Sequence, residues 1–435
     1  MYLKNWVMRS NYKKLGNYIE QFDIRNKDCN NSLGLEAIKG ISSISKSFIK
    51  TKANLVGVSP GNYKVVEPKQ FGYNPNTARM GDKIPIALNS GRNNVLVSSI
   101  YPTFKIIEAN LLLPEYLMMW FRRPEFDRYA RFKSHGSARE IFDYSEMCEV
   151  ELPVPSIEKQ REIVKEYNTI VNRIKLNEEY NQKLEEMAQA LFRHWFVDFE
   201  FPNENGDPYK TSGGKMVYNE QLDQEIPSCF QVKSLGNIVE KIISHRGKSK
   251  SHLDFDKKNR KYQNAIISAM NVNGGRLVKH NTIKYVNDKT FSEWMIDPLR
   301  SGDVILTSEA PMGEMLYIAN RSNFLLSQRL FGVRVYTKRC SGLFLYFWLQ
   351  TPQAKRDMEG RATGTTVLGI KLSELIRVCI PCAPVYSLNK FNNLIFPLME
   401  KLESKEVENE INQELIQIVL VKMSKVETFY TEHAV

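Results

Sequence analysis

Slid along itself by 228 positions, the chain meets a second copy of one of its own segments. Between 116–155 and 344–383, nine of 40 positions are identical: Leu117, Trp120, Pro124, Arg128, Gly136, Ser145, Glu146, Val150 and Pro153 fall on Leu345, Trp348, Pro352, Arg356, Gly364, Ser373, Glu374, Val378 and Pro381. Coincidence would supply roughly two or three. Upstream, Gly81-Asp82 echoes Gly302-Asp303 at an offset of 221, and Leu15-Gly16-Asn17 echoes Leu235-Gly236-Asn237 at 220. A repeat of that length is the size of a domain, not of a solenoid unit. The chain is therefore two versions of one plan, and any fold it adopts must serve twice.

Each copy leads into a long helical pattern. From Ser156, a good N-cap after Pro153 and Pro155, neither Gly nor Pro occurs up to His194, which makes a helix roughly 55 Å long at 1.5 Å per residue. Ile163, Tyr167, Ile170, Ile174, Asn177, Asn181, Leu184, Ala188 and Leu191 step by alternating four and three, a heptad seam with two polar positions that fix register. The second helix is expected over 387–425, with Leu388, Phe391, Ile395, Leu398, Leu402, Lys405, Asn409, Asn412, Ile416 and Val419 in the same alternation. Both seams are polar in the middle, so antiparallel pairing would bring the polar stretches level. Pro397 predicts a kink or local unwinding near the start of the second helix.

The remainder reads as α/β (α+β) domains of short strands. In the first half KANLVGVSPGNYKVV, KIPIALNS and NVLVSSIYPTFKII are punctuated by Pro60-Gly61, Asn74-Pro75 and Ser90-Gly91. Residues 114–130 form a helical pattern interrupted by Pro124, repeated in the second half with Pro352 in the matching place. Residues 201–227 are rich in turn formers and read as an ordered linker.

Composition constrains function less than pattern does. The 435 residues carry a net charge of +11, which suits a polyanionic partner and equally suits many basic soluble proteins. No signal-peptide core or membrane-length apolar run occurs, so a cytoplasmic protein without a membrane partner is expected. Of the six cysteines only Cys379 and Cys382 have ligand-like spacing, and with no second pair they read as packed thiols, not a metal site.

Catalytic signatures are missing. The Gly-Lys-Ser at 247–249 has Ile242 where a phosphate-binding loop needs its first Gly. Asn74-Pro75-Asn76 is followed by Thr77, unlike the Asn-Pro-Pro-aromatic turn of amino-methyltransferases, and no GxGxxG occurs. No HExxH is present, and Glu67-Pro68-Lys69 lacks the upstream Pro-Asp of a nuclease site. Basic and amide side chains on turns point instead to reading nucleic acid. Residues 245–261 hold seven Lys and Arg against two Asp, and Tyr73–Arg79 with 89–94 are rich in groups able to make paired hydrogen bonds.

At AQALFRHWFVDFEFP (188–202), followed by GDPYKTSGGKMV, the sequence resembles the specificity subunits of type I restriction-modification systems. The order ISAMNVNGGRL, LRSGDVILTSEAPMGEMLYI, LSQRLFGVRV, ATGTTVLGIKLSEL and IPCAP is similar to a target recognition domain of that family. The second helix departs from the pattern, with APVYSLNK in place of the usual proline-rich turn and Glu-Gln. The resemblance implies target recognition domains with mixed sheets at 1–155 and, with a linker, at 201–383. They are separated by two long antiparallel coiled-coil helices, 156–200 and 384–435, under a pseudo-two-fold.

It also implies a non-catalytic subunit with no cofactor or metal in this chain. The partners would be double-stranded DNA, two methyltransferase subunits that use S-adenosylmethionine, and restriction subunits that use ATP and Mg. The DNA-binding residues expected from the resemblance together with the basic and amide turns are, in the first half, Tyr73, Asn74, Asn76, Arg79, Arg92, Asn93, Ser137 and Arg139. In the second half they are Arg246, Lys248, Lys250, Asn271, Asn273, Arg276, Ser308, Gln328, Arg329, Thr365 and Thr366. Phe192, Trp195, Phe196 and Phe199 are expected to anchor the helix end and help form the methyltransferase docking surface. The alternatives are a coiled-coil scaffold or a stand-alone enzyme acting on nucleic acid.

Overall fold

The structure, a computed structural model, describes residues 12–29, 32–76, 83–134, 140–247, 264–364 and 366–424. The chain forms two compact units, one taking residues up to 176 together with those from 409 onward, the other taking 177–408. Each unit holds part of both long helices.

In the first unit the strands β1 (Ile19–Phe22), β2 (Phe71–Tyr73), β3 (Ile86–Leu88) and β4 (Thr103–Ile106) form an antiparallel sheet in the order β1-β4-β2-β3. Its apolar face buries Ile19, Phe71, Tyr73, Ile86 and Phe104. Phe71 and Phe104 stack at 4.8 Å, and Phe121, at the end of the helix Pro114–Phe121, meets both edge-on. Pro124 does not kink that helix but starts the next one, Pro124–Phe132, where a missing N–H costs nothing.

The second unit repeats this permutation. Strands β5 (Val239–Ser244), β6 (Val304–Thr307), β7 (Met315–Tyr317) and β8 (Leu330–Val335) pair in the order β5-β8-β6-β7. The helices Gly342–Leu349 and Pro352–Gly360 follow, the latter again opened by Pro. A three-stranded sheet is added in which Asn264–Ile267 lies antiparallel to Lys284–Val286 and parallel to Phe324–Leu326. The fold is α+β with mostly antiparallel sheets.

The echoed Leu-Gly-Asn motif has one physical cause in both units. Leu15 N–H donates to Val150 C=O at 2.8 Å, and Leu235 N–H donates to Val378 C=O at 2.8 Å. A Cβ on Gly16 would stand 2.8 Å from that of Cys148, and one on Gly236 would stand 3.2 Å from the Ile376 oxygen. Only glycine lets the chain pass this close.

The long helices span Ile157–Phe196 and Val385–Lys422. Ser156 caps the first, its Oγ accepting from Lys159 N–H. Within the second unit Asn181 Nδ2 reaches Leu402 C=O while Phe192 and Phe196 meet Phe391, so later residues of one helix meet earlier residues of the other and the pairing is antiparallel. Within the first unit Lys422 pairs with Glu166, and Ile163 and Tyr167 share a core with Val419 and Leu420. Every seam position of the two heptad patterns is buried or half-buried. Pro397 lies within the second helix on its exposed side, where water can meet the carbonyl that loses its N–H partner.

Residues 201–227 are ordered. Met216–Asn219 and Gln224–Pro227 form a hairpin, and buried Phe201 stacks on Tyr209 at 4.7 Å and packs against Phe230. Cys340 and Cys382 are packed in the second unit's core. No helix among the described residues is long and apolar enough to cross a membrane.

Gly302-Asp303 also has a structural reason. Asp303 takes a bidentate fork from Arg334 at 2.9 and 2.8 Å, and Arg334 extends to Asp297, which Lys241 meets at 2.7 Å. The echo, Gly81-Asp82, lies outside the described residues. Lys241, and after it Arg334, hold the Asp297 carboxyl down to about 2. A depressed carboxylate stabilises the fold above its unfolded pKa of about 3.9, and that stabilisation is lost as pH falls through the folded value. Thermal unfolding should therefore show wild type more stable than Asp297→Asn at neutral pH, with the difference shrinking as pH falls from about 4 towards 2. A pH-independent difference would mean the charge is not what Asp297 contributes.

Candidate nucleic-acid interface

The strand directions of the second unit decide which loops meet. Ser244 at the end of β5 lies opposite Phe331, Thr307 at the end of β6 lies opposite Leu330, and Leu306 lies opposite Met315. Segments 245–247, 308–314 and 327–329 therefore leave from one end of the sheet. Backbone bonds tie further loops to them. Ser308 N–H donates to Arg329 C=O, Ile370 N–H donates to Ser308 C=O, and Glu309 bridges Gly369, which brings in 363–370. Gly274 N–H donates to Glu314 Oε2 at 2.7 Å, which adds the hairpin 272–277. Five segments spread over 125 positions of sequence converge on one rim.

Of the expected residues, Arg246, Asn273, Gln328, Arg329 and Thr366 are exposed on these segments. Ser308 belongs to the same rim but is buried, and its backbone splices two loops. Asn271 is corrected to a structural role. Its Oδ1 accepts from the Ser268 N–H and hydroxyl and its Nδ2 reaches Thr282, so its amide is used up inside its own turn. Arg276 is half-buried, and its Nε donates to Glu185 at 2.9 Å and lies 3.7 Å from Glu406. The hydrogen bond to Glu185 raises this guanidinium above its ordinary range. It turns to the long helices and latches the hairpin that carries Asn273. Lys248, Lys250 and Thr365 lie outside the described residues.

In the first unit the equivalent rim starts after β2. Asn76 bridges Ile141 and Phe142 N–H donates to Pro75 C=O, the counterparts of Glu309 with Gly369 and of Ser308 with Ile370. Tyr73 is corrected to core: it is buried, its hydroxyl donates to Phe142 C=O at 3.1 Å, and burial holds its phenol far above the usual range. Asn74 is buried too, and its Oδ1 accepts from Asn76 N–H. Arg92 and Asn93 are exposed but do not join this rim. Leu88, the residue before their loop, lies opposite Phe71, so the loop leaves β3 at the end away from Asn76. Arg79, Ser137 and Arg139 lie outside the described residues.

Phe192, Trp195 and Phe196 lie in the last turns of the central helix and Phe199 just beyond it, and all four are buried. Phe196 meets Phe344 at 5.0 Å and Phe391 at 5.1 Å, Phe192 lies within 5.5 Å of Phe344 and Phe347, and Phe199 meets Phe230. They anchor the helix end, as expected. Phe192 and Phe196 also back a groove of about 910 Å³ whose polar wall includes Gln189, Arg193, Gln353 and Arg356. One rim residue is a carboxylate among basic and amide groups. Glu309 pairs with Arg329 at 2.9 Å.

No family model matches the chain. Over 343 residues it is 24% identical to the type I restriction enzyme MjaIX specificity subunit of Methanocaldococcus jannaschii, covering 78% of this chain and 72% of that protein. Over 126 residues it is 31% identical to the type I restriction enzyme HindI specificity subunit of Haemophilus influenzae, covering 28% and 27%. Among solved structures, the type I restriction-modification system S subunit from M. genitalium aligns over 98% of both chains with a TM-score of 0.57 at 13% identity, a likeness of fold. The chain is thus a homologue of the specificity subunits of type I restriction enzymes and shares their fold.

Proposed function

We propose that this chain is the sequence-reading, non-catalytic subunit of a type I restriction-modification complex acting on cytoplasmic DNA. Each target recognition domain, 1–155 and 201–383, reads one half of a bipartite duplex site, and the helical segments 156–200 and 384–435 serve as spacer. The chain docks two methyltransferase subunits and the restriction subunits, which bring S-adenosylmethionine, ATP and Mg, and holds no cofactor itself. The buried aromatic cluster serves docking only by fixing the end of the central helix.

The observation that carries this reading is the convergence of Arg246, Asn273, Gln328, Arg329 and Thr366 on one rim, with a rim of the same connectivity in the other unit. Such a rim can place cations against phosphates and forked donors against base edges. Arg246, at the mouth of the basic run 245–261, is assigned to phosphate. In the assembled methyltransferase, Arg246→Ala should weaken binding at target and non-target duplexes alike and lower the slope of log K against log salt by about 0.9. Salt-independent binding by the wild-type complex would overturn the reading.

A further inference from the structure

The geometry points to Glu309 and Arg329 as a base-reading pair that makes the second unit's half-site require a guanine. This rests on the proposed function above and deepens it, since it names what one part of the rim recognises.

A carboxylate is out of place on a surface that receives phosphates unless its charge is neutralised and its position is put to use. Glu309 meets both conditions. Its Oε1 lies 2.9 Å from Arg329 Nε, with the two side chains 30% and 58% exposed. The backbones beneath are tied twice, through Ser308 N–H to Arg329 C=O and through the bridge from Glu309 to Gly369. Gly369 makes room for the carboxylate, because a Cβ there would stand 3.1 Å from Glu309 Cβ and 3.3 Å from its Oε2. Both partners are thus held on a fixed frame at the rim.

Which edge of the guanidinium is engaged decides what it can read. With Nε given to Glu309, the remaining edge is the pair of terminal amino groups, for which no partner occurs among the described residues. That edge is a planar fork of donors, matching two acceptors side by side in the major groove, and only guanine O6 and N7 present that pair. Holding the fork in advance reduces the side-chain ordering that binding would otherwise require. The first unit has Asn76 where Glu309 stands, bridging Ile141 in place of Gly369. Its half-site is not read by this device, which supplies an internal control.

The test uses the chain assembled with its methyltransferase subunits, with methylated sites mapped by sequencing and affinities measured on duplexes. Arg329→Ala should relax selectivity on the order of tenfold or more at one guanine of a single half-site. Glu309→Gln, which keeps shape and removes charge, should relax the same position to a smaller extent, as should Gly369→Ala by displacing the carboxylate. Replacing that guanine by 7-deazaguanine should weaken the wild type and leave Arg329→Ala unchanged. Equal weakening of Arg329→Ala at all sequences would assign Arg329 to phosphate and overturn the inference. So would relaxation at a base other than guanine, or unaltered selectivity in both variants. If the wild-type complex showed no sequence selectivity, the proposed function itself would fail, a result distinct from all of these.

Discussion

Phe196→Ala should destabilise the second unit by about 3–5 kcal/mol, the cost of removing a buried phenyl ring from a site that cannot collapse around the loss. Phe196 is fully buried, with Phe344 at 5.0 Å, Phe391 at 5.1 Å, Phe192 at 5.4 Å and Trp195 at 6.1 Å. Those neighbours come from the end of the central helix, the start of the C-terminal helix and the helix Gly342–Leu349. Three elements would face the cavity, each fixed elsewhere. Denaturant unfolding followed by Trp fluorescence would report the change, with exposed Phe132→Ala as a control expected within about 0.5 kcal/mol of wild type. A loss below about 1 kcal/mol for Phe196→Ala would mean that the cluster repacks and does not lock the helix end.

Why was so much of the frame legible and so little of the rim? The heptad seam from Ile163 to Leu191 is a periodic statement about burial, and burial is what the seam residues show. The repeat was legible for a related reason: Leu15-Gly16-Asn17 and Leu235-Gly236-Asn237 are constrained by the same close passage against their own domains. Rim residues obey no such period. Asn271 and Asn273 are only two positions apart, yet one amide is spent inside the turn before the hairpin and the other is exposed on the hairpin. Arg92 lies 16 positions after Asn76, but a three-residue strand between them sends its loop from the other end of the pair. The partners of Arg276, Glu185 and Glu406, are remote in sequence. The partners that bury Phe192 and Phe196, namely Phe344, Phe347 and Phe391, are likewise more than 140 positions away. Composition reveals which groups are present; long-range pairing decides which of them are spent.

Exchanging residues 230–360 for those of a related subunit should change one half of the methylated sequence and leave the other half and the spacing untouched, because the second unit's rim is built almost wholly from that interval. The structure refines where the exchange should end. Loop 363–370 is spliced to the rim by Ile370 N–H on Ser308 C=O and by the bridge from Gly369 to Glu309, and it carries exposed Thr366, Val367 and Leu368. A graft ending at 360 would set the donor's 308–309 against the host's 363–370, and each base pair read wrongly costs roughly 1–3 kcal/mol. Ending at 360 should therefore give weakened or mixed selectivity in the exchanged half, and ending at 376 should give the donor's half-site cleanly. The join at 376 also keeps the host's Val378 carbonyl and the strand Cys379–Cys382, which receive Leu235 and the strand Gln231–Ser234 through backbone groups that any donor sequence supplies. Methylated-site sequencing of cells carrying each graft separates the outcomes. An altered first half-site in either graft would show that the two domains read DNA as one composite surface, and no choice of boundary would then restore independent halves.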